Sequence, residues 1–298
     1  MGRRGRVGRV GCVRSALAIG LALEIFVLVA DGLQAVPRLD VDKYEVYAVR
    51  FATLANFPVS SLVAGADRAR RMDIAMMIWV LKGVDGRIAI VDSGFHREQY
   101  FRQFTVKDYI KPSDALAPLG LKPEQVTDLF LSHMHWDHAG GIDLFPSARV
   151  WVQKDEYDYY TSEAWQSRNT HGGIDRDDVL ELVKRNMDGK VSFVRGDDDT
   201  TISGVLFGVG GKHTWQSQFV TAQTTRDRTV VLASDNMYLY ENLDAHKPVA
   251  QTLDAVSNLR TQDRMRGLAS EPRLVIPGHD PAVFDRFPRV SDRIVRIE

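Results

Sequence analysis

The chain has 298 residues and a formal net charge of −1, with 44% hydrophobic and 26% charged residues. That length can bury one sizeable core, and the near-neutral balance excludes the basic stripe that nucleic-acid binding needs. The only cysteine is Cys12, which excludes a disulfide framework and leaves the body without a thiolate metal ligand.

The first 35 residues differ in kind from the rest. "MGRRGRVGRVGCVR" holds five arginines and no acid, and an apolar run, "SALAIGLALEIFVLVA" (15–30), follows it. Basic, apolar, then small residues is the order of a secretory signal, and the run is shorter than the about 20 residues of a membrane span. Residues 1–35 are therefore expected to be a signal peptide, with an uncleaved membrane anchor or a misplaced start as the alternative, and residues 36–298 the catalytic body. The mature protein is expected to be periplasmic or secreted, with no stable membrane association after processing. The leader would take with it five arginines but only two acids, Glu24 and Asp31. The more acidic body that remains argues again against a nucleic-acid partner.

Strands are predicted at 44–52 (YEVYAVRFA), 76–83 (MMIWVLKG) and 87–94 (RIAIVDSG). Residues 106–125 hold helical and turn pieces, and 126–132, "VTDLFLS", reads as a short buried strand. It runs into "HMHWDH", three histidines and an aspartate in six positions of a chain with eight histidines. On an extended segment His133 and His135 point to one side, because side chains repeat every two residues. Asp137 and His138 follow in the turn, which "AGG" (139–141) allows to be tight. A polar surface loop is the blander reading, but imidazoles and a carboxylate converging after a buried strand favour a metal site.

Further along, 149–160 reads as strand then helix, and 176–186 (RDDVLELVKRN) has helical spacing. The polar, aromatic stretch 161–190 is expected to cover the site as a helical lid. Strand signals return at 190–196, 205–211, 218–225, 229–235 and 273–280, with a helix over 250–268. Strands in runs with helices between them suit two sheets with helices packed outside. Asp235 closes an apolar run, where an acid is either a strand-end cap or an ion ligand. His279 follows Pro277-Gly278, and His213 follows two glycines. Asp92 reads as a hydrogen-bond acceptor that holds the ligand loop. His96, His171 and His246 have weaker claims on the pocket, and the acids at 197–199 read as a solvated turn.

These motifs resemble the metallo-β-lactamase superfamily. "HMHWDH" is similar to its His-x-His-x-Asp-His signature, and "IAIVDSG" (88–94) to its first motif. "GGKHTWQS" (210–217), "VVLASDNMY" (230–238) and "LVIPGHDP" (274–281) look like the stretches that carry its later ligands, in the same order. "GGKHTW" departs from the family, which often has Pro-Gly around that histidine. The resemblance implies an α/β fold, the four-layer αβ/βα sandwich, with metals at one edge between the sheets. It implies two divalent metal ions, zinc by preference. His133, His135 and His213 would hold one, Asp137, His138 and His279 the other, and Asp235 would bridge them. Two cations lower the pKa of a shared water from about 15.7 toward about 7, so that it can attack an ester carbonyl. Asp137 can relay a proton to the leaving group. "DNMY" resembles the Asp-x-x-Tyr arrangement of the N-acyl-homoserine lactone lactonase branch, which places Tyr238 at the substrate carbonyl. A bridging aspartate without cysteine sets the chain apart from the antibiotic-hydrolysing branches. The expectation is a dinuclear-metal hydrolase that opens a small-molecule lactone. A thioesterase, aryl esterase or organophosphate hydrolase is the alternative, and a non-hydrolytic metal-binding protein is the reading from another class.

Overall fold

The computed structural model describes residues 41–169 and 171–297. The signal reading of residues 1–35 lies outside the described residues. The first half of the chain lays down β1 (Tyr44–Pro58), β2 (Arg71–Gly83), β3 (Ile88–Val91), β4 (Val106–Lys107), β5 (Asp128–Phe130), β6 (Arg149–Gln153) and β7 (Val191–Val194). Between them run α1 (Glu98–Gln103), α2 (Trp136–Ala139), α3 (Lys154–Thr161) and α4 (Arg176–Met187). The second half adds β8 (Val205–Val209), β9 (Gln218–Gln223), β10 (Thr229–Ser234), α5 (Tyr240–Asp244), α6 (Ala255–Leu268) and β11 (Val275–Pro277). The chain ends with α7 (Val283–Arg286), β12 (Arg289–Ser291) and β13 (Ile294–Ile297). The larger sheet has the order β12-β13-β1-β2-β3-β5-β6-β7, with β4 on β1, and the smaller has β11-β10-β9-β8.

Strand β2 shows why two sheets stack. Ile74, Met76, Ile78 and Val80 face one core, and Ala75, Met77, Trp79 and Leu81 face the other. Both faces are buried, so the strand reads as a continuous apolar run rather than an alternation. On the second face Trp79 and Leu81 meet Phe207, Phe219 and Val231 of the smaller sheet. On the first, Ile78 and Val80 share a core with Tyr160 of α3 and Leu182 of α4. Helix α6 packs on β10, outside the smaller sheet. The result is helix, sheet, sheet, helix, the expected four-layer sandwich. Each fully buried Leu, Val or Phe in these layers contributes roughly 1.5–3 kcal/mol.

The structure differs from the sequence reading at element ends. β1 runs on to Pro58, and the strand expected over 126–132 keeps only Asp128–Phe130. The helix expected from 250 starts at Ala255, because Asp254 caps it by accepting from Val256 N and Ser257 N, each at 3.0 Å. Strands β12 and β13, in an arginine-rich tail, carry no alternation strong enough to read. Among the described residues no helix is long and apolar enough to cross a membrane.

For the site, what counts is which strands end together. β3 and β5 are parallel neighbours, as are β10 and β11. β3 leads into Asp92, β5 into His133, β10 into Asp235 and β11 into His279. Loops from both sheets therefore meet along one edge of the seam.

Candidate metal centre

All seven ligand-type residues singled out in the sequence converge there, in two groups. His133, His135, His213 and Asp235 form one, and Asp137, His138 and His279 form the other, each with donor atoms within 4.8 Å of one another. Asp235 stands between them. Its Oδ2 lies 3.3 Å from His213 Nε2 and 3.6 Å from His133 Nε2. Its Oδ1 lies 3.1 Å from His279 Nε2 and 3.3 Å from His138 Nε2. Asp137 Oδ2 is 3.6 Å from both His138 Nε2 and His279 Nε2. His135 differs from the rest by turning Nδ1 to the cluster, 3.0 Å from His133 Nε2 and 2.9 Å from His213 Nε2.

Hydrogen bonds on the far side of each ring decide which nitrogen is bare. His213 Nδ1 donates to Gln251 O at 2.6 Å and His279 Nδ1 to Ala75 O at 3.0 Å, since a carbonyl can only accept. His138 Nδ1 donates to Asp92 Oδ2 at 2.7 Å. Ser132 Oγ gives its proton to Asp92 Oδ2 and so accepts from His133 Nδ1 at 2.9 Å. In the neutral tautomers these bonds fix, four Nε2 lone pairs point into the cluster. Asp92 is the hub, fully buried, also accepting from Ser132 N at 2.8 Å and Ser234 Oγ at 2.9 Å.

Two buried polar atoms, His138 Nε2 and Asp235 Oδ1, have no hydrogen-bond partner. Atoms orphaned in this way are satisfied by an ion of opposite preference. Burial, reinforced by the neighbouring imidazoles, holds His133 well below the ordinary histidine pKa. Burial also opposes charge on His138, yet Asp235, Asp137 and Asp92 outweigh it and raise His138 well above its ordinary value. Burial likewise disfavours an ionised Asp235, but His138 and His279 drive its pKa well below the usual range. The position attracts positive charge, and nitrogen and oxygen donors in this number suit a pair of zinc-like cations. The residues fit a dinuclear metal group.

The substrate side is a cavity of about 220 Å³ whose floor is Asp137, Asp235 and His279. Leu54, Phe57, Ile74, Phe104 and Trp136 give it apolar walls. Trp136 is stacked between Tyr100 (3.9 Å, 19°) and Phe104 (5.1 Å, 9°). Tyr238 lines the same cavity, its ring 5.4 Å from His213 and 5.6 Å from His279. Its hydroxyl makes no hydrogen bond to the described residues. Burial, with Asp235 and Asp137 adding to it, lifts the Tyr238 pKa well above its ordinary value, so the hydroxyl keeps its proton.

The 161–190 insertion lies against one side of the cluster. His135 and Ile174 form a backbone bridge, and Trp136 N donates to Gly173 O at 2.9 Å. A Cβ on Gly173 would come within 2.9 Å of the His135 ring, and its φ of +77° suits glycine. The weaker histidines lie elsewhere. His96 pairs with Asp143 at 2.9 Å, His171 stacks on Trp165, and His246 pairs with exposed Asp263 at 3.1 Å. Asp197 and Asp198 pair with Arg264.

Sequence reasoning missed Ser132, Ser234, Trp136, Gln251 and above all Glu156. Glu156 is fully buried in the first turn of α3. Its Oε1 accepts from Met134 N at 3.1 Å and Thr214 Oγ1 at 2.7 Å, and Oε2 from Gln216 N at 2.6 Å. Burial raises its pKa even so. A faint signal exists, because Glu156 and Tyr160 sit at the i, i+4 spacing of a helix face and both are buried.

Residues 75–279 match the metallo-beta-lactamase superfamily. The chain belongs to that superfamily. It is a lactonase-like member and a metal-dependent hydrolase by class. An N-acyl homoserine lactonase of Bacillus cereus is 26% identical over 223 residues, covering 70% of this chain and 82% of the relative. An N-acyl homoserine lactone hydrolase with the product N-hexanoyl-L-homoserine bound at its catalytic metal centre superposes with a TM-score of 0.65 at 19% identity, over 82% of this chain and 95% of that one. A dizinc quorum-quenching lactonase in complex with a product gives 0.63 at 16% identity, over 81% and 91%. At these identities the structural likeness establishes the fold, and the His/Asp cluster is of this superfamily's metal-binding type.

Proposed function

We propose that the protein is a dinuclear zinc hydrolase that opens lactones of the N-acyl homoserine lactone type. The observation that carries this reading is Tyr238, its hydroxyl without a hydrogen bond to the described residues, lining one apolar-walled cavity together with Asp235, Asp137 and His279. The lactonase relatives and the product-bound neighbours support it. His133, His135 and His213 would hold one cation and Asp137, His138 and His279 the other, with Asp235, whose two oxygens lie by His213 and His279, available to both. When bound, the pair supplies Lewis acidity and a water nucleophile that is deprotonated near neutral pH.

The chain's own residues do the rest. The apolar walls exclude water and align the acyl part of the substrate. Tyr238 donates its hydrogen to the carbonyl oxygen as negative charge grows there. Asp137, whose pKa burial raises against the pull of His138 and His279, accepts a proton and returns it to the ring oxygen as that bond breaks. Export of the mature protein to the periplasm or medium, from the leader at 1–35, belongs to the same proposal.

The test is one panel. Zinc-loaded protein is assayed on an N-acyl homoserine lactone, a thioester, a β-lactam and an organophosphate, beside Asp235→Ala, with metal quantified in both. The lactone should be the preferred substrate, and Asp235→Ala should lose metal and activity together. Preference for another member of the panel overturns the lactone assignment. Full activity in a metal-free preparation overturns the metal reading.

A further inference from the structure

The centre has four carboxylates about it, buried Asp92, Glu156 and Asp235 and half-buried Asp137. Among the described residues none of them pairs with a lysine or arginine. Three contact the histidines directly. Glu156 does not, and deep in the protein its carboxylate is held by three hydrogen bonds, with no cationic side chain bonded to it.

The bonds of Glu156 are also placed unevenly. Met134 separates His133 from His135, while Thr214 follows His213 directly and Gln216 comes two residues later. Its carboxylate therefore ties the loop of the first half to the loop of the second at the three-histidine group. It makes no bond to the loop that carries His279. A tie of fold alone would need no charge, since an amide could accept two of these bonds.

We propose that Glu156 is a positioning residue and buried counter-charge dedicated to one of the two metal positions, that of His133, His135 and His213. The other position relies on Asp92 behind His138. Asp92 stands behind both positions, directly at His138 and through Ser132 at His133, whereas Glu156 braces only the first, so loss of Glu156 should weaken that position alone. This inference rests on the dinuclear reading above.

The test is a zinc competition titration against a chromophoric chelator on the full chain, resolving two equivalents. Glu156→Gln keeps the size, drops the charge, and turns an amide donor toward Gln216 N. One equivalent should weaken by about 10-fold to 100-fold, the usual effect of removing a group that orients a ligand. The second should be unchanged. The weakening should vanish in a His213→Ala background and persist in a His279→Ala background, which assigns the position. The apoprotein's Tm should fall only by what the one lost bond to Gln216 N costs, while the amide oxygen keeps the bonds from Met134 N and Thr214 Oγ1. Two equivalents held at wild-type affinity overturn the inference. So does a uniform weakening of both together with a lower apoprotein Tm, which marks a fold tie. A wild type that binds no zinc overturns the dinuclear reading itself, and the role of Glu156 with it.

Discussion

Tyr238→Phe isolates one hydroxyl. The ring is 4% exposed and packs between His213 and His279, and phenylalanine preserves both contacts. The hydroxyl bonds to nothing in the described protein, so its removal leaves no donor or acceptor stranded. Stability and zinc content should therefore survive. The cost falls on the transition state. A hydrogen bond to a group that gains charge contributes roughly 1.5–3 kcal/mol, which is about 10-fold to 100-fold in rate. A sole oxyanion donor contributes about 10²-fold to 10³-fold, but here a cation shares the charge. Because burial and the nearby carboxylates hold the Tyr238 pKa well above its ordinary value, the loss should be constant across the neutral pH range. The assay is kcat/KM on an N-acyl homoserine lactone and on a nitrophenyl ester, wild type against variant, with metal measured in each. The lactone should suffer more, because its ring alkoxide leaves less readily than a nitrophenolate. Wild-type lactone turnover in a zinc-replete variant would refute the reasoning and reduce Tyr238 to packing.

Two further outcomes probe the insertion. Asp178 at the start of α4 receives Arg97 on Oδ1 at 2.8 and 3.0 Å, but its buried Oδ2 has no partner, and burial pushes its pKa up to about 7 in spite of Arg97. The unfolded value is about 3.9, so folding takes up a proton between the two. The stability this group contributes is complete below about pH 4 and is lost as pH rises through about 7. Urea denaturation at pH 5 and pH 8 should therefore show wild type losing ground to Asp178→Asn at the higher pH, and parallel curves would reject the shift. Gly173→Ala forces a Cβ toward His135 from a left-handed backbone, whereas a Cβ on Gly172 meets nothing within 4 Å. The first should lower Tm and zinc affinity and the second neither; matching behaviour would show that the segment does not rest on the cluster.

The converging cluster was legible because ligation, where it occurs, restricts residue type, spacing and position together. His133 to His138 follow a strand, and Asp235 and His279 end two others, which are places where a buried acid or imidazole needs an explanation. What supports the ligands was not legible. "KDEYD" offers three acids, and only the docking of α3 against loops from both halves makes Glu156 the buried one. Serines at 132 and 234 are ordinary in sequence, yet their hydroxyls meet at 2.9 Å across a separation of 102 residues. Cavity walls such as Leu54 and Phe57 come from the unpredicted end of β1, so the pocket was hidden with that extension. The four layers could be expected from strand and helix order, but the last two strands joined the larger sheet without a readable pattern.

The same placement explains why this site must be metal-binding rather than merely polar. Asp92 and Ser234 end strands of different sheets, and both sit at positive φ, 61° and 46°. Backbone held there costs about 1–3 kcal/mol per residue. Both side chains turn inward to Ser132 and His138, which only aligns the imidazoles. Four carboxylates and five histidines are then gathered with bare lone pairs facing one another and orphaned atoms at the centre. The hydrogen bonds around Asp92 offset part of this cost, but desolvation of the converging donors and the backbone strain oppose it. A bound cation reverses the sign, since site formation and metal binding become one equilibrium worth about 10–16 kcal/mol at structural zinc sites. Ion binding would therefore stabilise this geometry, and the two strand ends at positive φ hold the side chains that align the imidazoles for it.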